Sequence, residues 1–334
     1  MKLLAPANPK ELTNRLQWFK TPEALKLAKE KRVEFGIEIK GVLEEIKKTP
    51  PIFWGVHLPV EFATEWYYGK EKRQSLIDRA KRASALKPDY AIMHGIDFGW
   101  PSLPKDDVHR YLNRADPKEV FALLEANIEL IKILKKYLPL KIENGCLVDL
   151  YFEKNRFLPH TSLHLGAQKL DDLLYFQQKT GVDIVFDLEH LTLTLNFLNR
   201  QKNYQNVPIT KIKASTAKEL EIAKIYGFKL KKGSYPYLEK KATIEDKIRQ
   251  YQTKYYHVCG NTQEFQGNKI LSHGPIELND RTFRQNLQAI LAQKPEWIVS
   301  ESTNPDSGPE WNYLRPNENE ISFRNLCRIL LEEL

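Results

Sequence analysis

Eight short apolar runs recur along the 334-residue chain, and most are separated by longer stretches with helical spacing. The strand-like runs are LLAP (3–6), FGIEIK (35–40), FWGVHL (53–58), YAIMHG (90–95), LKIENG (140–145), DIVFD (183–187), YYHVCG (255–260) and WIVSES (297–302). The helical stretches are Pro22–Lys31, Lys72–Leu86, Pro117–Tyr137, Leu170–Thr180, Asp280–Gln293 and Ile321–Leu334. Strands that alternate with helices pair in parallel, and eight of them without a dinucleotide-binding glycine motif predict a closed (β/α)8 barrel.

Composition favours one globular domain over residues 1–334, because no compositional break marks a second one. The three cysteines, Cys146, Cys259 and Cys327, are far apart and show no CxxC spacing, which is typical of a reducing cytosol and excludes a zinc-finger framework. The N-terminal apolar stretch is too short for a signal peptide, and no run approaches the roughly 20 apolar residues of a membrane span. The sequence therefore predicts a soluble cytoplasmic protein without a membrane partner.

A histidine or a carboxylate stands at the end of six of the eight runs or shortly after it. The residues are His57, His94, Glu143, Asp187 with His190, His257 with His273 beyond a loop, and Glu301. In a (β/α)8 barrel the carboxyl ends of the strands meet at one rim, where active sites lie. Imidazole and carboxylate suit zinc, manganese or iron, and eight such groups exceed what one ion uses. The pattern predicts a site for two to three divalent metal ions per chain, with Zn or Mn favoured.

Taken singly, each of these residues also has a structural interpretation. A histidine at a strand end can be a hydrogen-bonded structural residue, Glu143 or Glu301 can form a rim ion pair, and Asp187 can cap a helix. Recurrence on six strands favours metal binding over these alternatives. The other three histidines are predicted to lie outside the site, His160 and His164 in the loop-like stretch PHTSLH and His109 on the surface.

Short motifs at the strand ends resemble the xylose-isomerase-like superfamily of metal-binding barrels, which includes sugar isomerases, epimerases, endonuclease IV and the UV damage endonucleases. The motifs are VHLP (56–59), MHG (93–95), IENG (142–145), FDLEH (186–190), HVCGN (257–261), GNKILSHGPI (267–276) and SES (300–302). The resemblance covers most of the chain. It lies in the order and strand positions of the motifs rather than in any one of them.

The resemblance to the repair endonucleases implies a site for three metal ions. His57, His94 and Glu143 would hold one ion, and Glu143 would bridge to a second. The other implied ligands of the second ion are Asp187, His257 and Glu301, and those of the third are His190 and His273. Endonuclease IV has an aspartate where this chain has Leu271, two positions before the last histidine, which weakens the third site.

Two functions from different classes follow from this pattern. The first is a divalent-metal-dependent phosphodiesterase or endonuclease acting on nucleic acid, damaged nucleic acid included. The alternative is a sugar or sugar-phosphate isomerase or epimerase, with one metal ion and with Glu143 and Glu301 as the catalytic acid and base. The alternative gives no necessary role to His57, His94 or His273. The residues therefore favour the nuclease, with nucleic acid as the partner rather than a small sugar.

The positive charge of the chain is concentrated between the sixth and seventh runs. Residues 201–256 contain 13 lysines and arginines against five acids, an excess that equals the net charge of +8 of the whole chain. Seven of the 15 tyrosines lie in the same segment. We expect residues 201–253 to form a basic, tyrosine-rich insertion in the barrel, because lysines neutralise phosphates and phenol rings stack on bases. An ordinary amphipathic helix with solvated lysines is the alternative for residues 216–230.

The proposed nucleic-acid contacts of this insertion are Lys229, Lys231, Lys232, Lys240 and Lys241. If they contact phosphates, affinity for DNA or RNA falls steeply with added salt, and replacing all five with serine flattens that dependence. Metal content should stay unchanged, because none of the five is a ligand. Binding titrations over a salt series test this. A wild-type protein that binds neither single- nor double-stranded nucleic acid at low salt would contradict it.

Overall fold

A computed structural model describes residues 1–40, 45–46, 49–59, 66–67, 69–95, 117–145, 148–153, 156–161, 170–192, 243–260, 273–302 and 318–334. The strands of these parts are β1 (Lys2–Ala7), β2 (Glu34–Lys40), β3 (Phe53–His57), β4 (Tyr90–His94), β5 (Leu140–Glu143), β6 (Val148–Glu153), β7 (Arg156–Thr161), β8 (Asp183–Asp187), β9 (Tyr255–Val258) and β10 (Trp297–Ser300). Eight of them pair in parallel and close in the order β1-β10-β9-β8-β5-β4-β3-β2. The predicted (β/α)8 barrel is confirmed.

Helices flank the barrel strands as the alternation of patterns predicts. They are α1 (Leu12–Trp18), α2 (Pro22–Lys31), α3 (Arg73–Ala85), α4 (Pro117–Leu134), α5 (Leu170–Thr180), α6 (Ile244–Tyr251), α7 (Arg281–Ala292) and α8 (Glu318–Glu333). The periodic pattern did not predict α1, because a seven-residue helix shows too few repeats of an apolar face. Among the described residues, no helix combines the length and the apolar character needed to cross a lipid bilayer.

An antiparallel hairpin, β6 and β7, stands outside the barrel and corrects one expectation. The stretch around His160 was expected to be a loop, but Asp149 pairs with His160 within the ladder of the hairpin. Glu153 pairs with Arg156, so only two residues connect the strands. Such a short connection favours a tight hairpin, and Pro159 had obscured the strand pattern. His164 and His109 lie outside the described residues.

The basic insertion lies mostly outside the described residues, including all five lysines predicted to contact nucleic acid. Its C-terminal end forms α6, which begins with a capping box. The Thr243 hydroxyl accepts the backbone N–H of Asp246, and the Asp246 carboxylate accepts the backbone N–H of Thr243. This reciprocal pair satisfies helix donors that otherwise lack a partner and defines where α6 begins.

Aromatic rings fill the barrel interior below the carboxyl ends of the strands. Tyr90 stacks on Trp297 at 4.6 Å between ring centroids and on Phe53 at 5.8 Å. Trp297 also packs against Tyr255 at 5.1 Å. Gly55 leaves room for this layer, because a Cβ at that position would come within 2.1 Å of the Tyr90 ring. Tyr90 and Trp297 are buried, and burial of each stabilises the fold by about 1.5–3 kcal/mol and supports the rim above them.

A charged clamp joins α2, near the start of the chain, to α8 at its end. The Glu23 carboxylate accepts hydrogen bonds from Arg324 at 3.1 Å and from Arg328 at 2.6 Å. The guanidinium of Arg324, and to a smaller extent that of Arg328, lowers the pKa of Glu23 to about 2. Because the folded-state pKa lies below the ordinary value, this ion pair stabilises the fold at neutral pH. The contribution is lost as the pH falls from about 4.5 towards 2.

Replacing Glu23 with glutamine should therefore lower the free energy of unfolding by about 1 kcal/mol at pH 7, a value reduced by the partial exposure of both arginines. The difference from wild type should shrink between pH 4.5 and pH 3. Urea unfolding at each pH measures it. Glu30→Gln, an exposed position on the same helix, is the matched control and should change stability little. An equal loss in both variants, or a loss independent of pH, would contradict the clamp.

Candidate metal centre

All eight residues predicted as ligands lie at the carboxyl end of the barrel. His57, His94, Glu143 and Asp187 are the last residues of β3, β4, β5 and β8. The register places them side by side, since His94 pairs with Glu143 and Asp187 pairs with His257. Their side-chain atoms form three groups, each with its ligand atoms within 4.8 Å of one another. The groups are His57, His94 and Glu143; then Glu143, Asp187, His257 and Glu301; and then Asp187, His190 and His273.

The first group consists of two imidazoles facing one oxygen of a buried carboxylate. Nε2 of His57 lies 2.8 Å from Oε2 of Glu143, and Nε2 of His94 lies 3.3 Å from the same oxygen. The two rings are 5.1 Å apart between centroids. Glu143 is only 1% exposed. Two nitrogens and one oxygen converging on one point form a three-ligand set of the kind that divalent zinc accepts.

The second group surrounds Nδ1 of His257. This nitrogen lies 2.6 Å from Oε1 of Glu143 and 2.7 Å from Oε2 of Glu301. Oδ2 of Asp187 lies 3.9 Å away from it. Glu143 thus turns one oxygen to the first group and the other to the second, as a bridging carboxylate would.

The third group contains Asp187 at the end of β8, together with His190 and His273, which lie beyond the ends of β8 and β9. Nδ1 of His190 lies 3.7 Å from Oδ2 of Asp187. Nε2 of His273 lies 3.7 Å from Oε1 of Glu301, at the boundary with the second group. Asp187 belongs to both the second and the third group. The resemblance had implied it as a ligand of the second ion only. The Asp187 carboxylate also caps the helix that follows β8, since Oδ1 accepts the N–H of His190 at 2.9 Å.

Buried polar atoms without a hydrogen bond identify where a cation fits. Within the described parts of the chain, four such atoms meet in the second group: Oε1 of Glu143, Oδ2 of Asp187, Nδ1 of His257 and Oε2 of Glu301. Nδ1 of His257 lies within ion-pair distance of the three carboxylate oxygens but makes no well-directed hydrogen bond to them, and a divalent ion among these atoms would neutralise their charge. Carboxylate and imidazole are also the ligand types that zinc and manganese take. The residues present therefore fit such an ion.

Outer acceptors orient four of the five histidines. Nδ1 of His57 lies 3.1 Å from the carbonyl oxygen of Leu58, and Nδ1 of His190 lies 2.6 Å from that of Asn144. Carboxylates hold the other two: Nε2 of His257 lies 3.1 Å from Glu38, and Nδ1 of His273 lies 3.0 Å from Glu189. Such a partner fixes the tautomer and leaves the other ring nitrogen as a potential ligand. Histidines that bind metal ions in proteins have outer partners of this kind.

Electrostatics differ between the groups. Burial lowers the pKa of His94 to about 3, so its ring is neutral at pH 7 as a ligand must be. Burial also opposes the charged form of His257, but Glu143 and Glu38 outweigh it and raise the pKa of His257 to about 10. Burial raises the pKa of Asp187 as well. With a pKa of about 10, His257 is protonated at pH 7, and an ion bound at Nδ1 would replace that proton; the carboxylates of Glu143 and Glu38 favour either positive charge.

Three residues that contact the candidate ligands were not predicted from the sequence: Glu38, Lys40 and Glu189. Glu38 is fully buried on β2, where its Oε2 also accepts the hydroxyl of Tyr90 at 2.9 Å. Lys40 ends the same strand and forms an ion pair with Glu301. The signal was present in GIEIK, where two charged residues alternate with isoleucines, so that one face of a buried strand is polar. Nothing in the local sequence pointed to Glu189.

Comparisons with known proteins give weak similarities. No protein-family model and no curated protein sequence matches the chain. A protein from Thermus thermophilus solved after soaking with ZnCl2 has a TM-score of 0.35 and 15% identity, over 57% of this chain and 68% of that one. Endonuclease IV from the same organism has a TM-score of 0.46 and 10% identity over 100% of both chains. A xylose isomerase domain protein from Alicyclobacillus acidocaldarius has a TM-score of 0.36 and 14% identity, over 98% of this chain and 88% of that one. Similarities this weak do not identify an activity.

Proposed function

We propose that the protein is a divalent-metal-dependent phosphodiesterase that cleaves nucleic acid. The observation that carries this proposal is the sharing of Glu143 and Asp187 among three adjacent ligand groups. A carboxylate shared between neighbouring groups suits a multinuclear site, whereas a single ion needs only one ligand group. The eight residues at the rim would hold two or three ions, of zinc or manganese.

Bound ions of this kind lower the pKa of a coordinated water and neutralise charge on a phosphate, which is the chemistry that phosphodiester hydrolysis needs. The protein itself would position the substrate. A cavity of about 190 Å³ adjoins the second and third groups, and Lys40, Arg15, Asn8, Ser302, His273 and Glu301 are among its lining residues. Lys40 places a cationic ammonium group beside Glu301, where it can bind a phosphate oxygen of the substrate.

A sugar isomerase or epimerase is the second candidate, and one observation favours it. The second group alone supplies four ligands to one ion, and it contains both glutamates that would act as acid and base. That function would leave His57 and His94 with no ligand role, although both point at Glu143. The number of bound ions therefore separates the two functions, since the nuclease needs more than one per chain.

Replacing His57 or His94 with alanine should remove about one ion per chain and lower phosphodiesterase activity on the order of 100-fold, because each is a direct ligand of the first group. Elemental analysis gives the metal content. Nicking of intact, depurinated and ultraviolet-irradiated plasmid DNA gives the activity. His109→Ala, an imidazole predicted to lie outside the site, is the control.

Unchanged metal content in both variants would contradict the multinuclear site. A count near one ion in the wild-type protein, together with turnover of a sugar or sugar phosphate and no nicking, would favour the isomerase. The two outcomes are distinct. The first is the metal content of the His57 and His94 variants, whereas the second is the metal content and the activity of the wild-type protein.

A further inference from the structure

Glu189 is a buried carboxylate whose two oxygens are both directed at one histidine. It lies two residues beyond Asp187 and is 3% exposed. Its Oε2 lies 3.0 Å from Nδ1 of His273, and its Oε1 accepts the backbone N–H of the same residue. The thiol of Cys259 donates a weaker hydrogen bond to Oε2 at 3.5 Å. One carboxylate thus holds both the ring and the backbone of His273.

His273 is held in a backbone conformation that a histidine rarely adopts. It has a φ of 53°, in the left-handed region that costs a non-glycine residue about 1 kcal/mol or more. It lies between strands rather than in one, and the nearby backbone is tied to the barrel by a hydrogen bond from Gly260 to Gly274 of 2.8 Å. Because Glu189 occupies Nδ1, Nε2 is the ring nitrogen that faces the ligand groups.

The third ligand group depends on this orientation more than the other two do. It contains one carboxylate, Asp187, which the second group also uses, and two imidazoles. If His273 turned away, one imidazole and a shared carboxylate would remain. We infer that Glu189 is a positioning residue that forms the third metal site by holding His273, rather than a ligand itself. This inference rests on the multinuclear site of the proposed function.

Glu189→Gln tests the inference, because the amide offers one acceptor oxygen for the two donors of His273. The affinity for the last-bound ion should fall about 10- to 100-fold, while the ions of the first two groups are retained. Equilibrium dialysis against graded concentrations of Zn²⁺ or Mn²⁺, followed by elemental analysis, measures the stoichiometry. Raising the metal concentration should restore both the last ion and the activity, which a merely structural defect would not allow.

Two further variants sharpen the comparison. Glu189→Asp keeps both carboxyl oxygens but shortens the side chain, so it should show the same selective loss of the last ion. Cys259→Ala removes only the weak thiol donor and is the matched control, in which the last ion should be retained. Circular dichroism verifies that each variant is folded.

Unchanged affinity for the last ion in both Glu189 variants would overturn the inference while leaving the proposed function intact. Loss of all ions together would also overturn it, because Glu189 would then support the whole rim rather than the third group. A wild-type protein that binds a single ion would instead overturn the proposed function, and that result is visible before any variant is made.

Discussion

Glu143 is the residue on which the arrangement of the rim depends. Its carboxylate is buried, and imidazoles approach its two oxygens from opposite sides: His57 and His94 at one oxygen and His257 at the other. Burial raises the free energy of a carboxylate, but the charge of His257 outweighs this and holds the pKa of Glu143 well below its ordinary range. An ionised carboxylate at this depth requires cationic partners, and divalent ions between it and the imidazoles would supply them.

The barrel beneath makes that geometry possible. The strand register sets His94 beside Glu143 and Asp187 beside His257, so neighbouring strands place their candidate ligands at the same level. The layer formed by Tyr90 and Trp297 supports this level from below, and Tyr90 is linked to the rim through its hydroxyl bond to Glu38. Glu38 in turn holds His257. The packing of the interior and the orientation of the ligands are therefore one connected structure rather than two independent ones.

The sequence was sufficient to predict the barrel and the convergence of the eight residues at its rim, because both follow from where polar residues stand relative to buried strands. Glu38 was missed because it lies within a strand rather than at its end. Its side chain points into the barrel, and which face of β2 points inward is known only once the barrel is closed. Glu189 was missed because its partner, His273, is 84 positions away, and no local pattern encodes that contact. The β6–β7 hairpin was missed because a proline interrupted its strand pattern. Ligation of metal by the eight residues and nucleic-acid binding by the basic insertion stay predictions.

The most direct test of the central claim is anomalous X-ray diffraction from crystals of the protein loaded with Zn²⁺ or Mn²⁺. We expect separate ion peaks about 3.5–4 Å apart, one bound by His57 and His94 and a second bound by His257, with Glu143 between them. A third peak is predicted beside His190 and His273. A single peak within the group of Glu143, Asp187, His257 and Glu301, with His57 and His94 unbound at saturating metal, would contradict it.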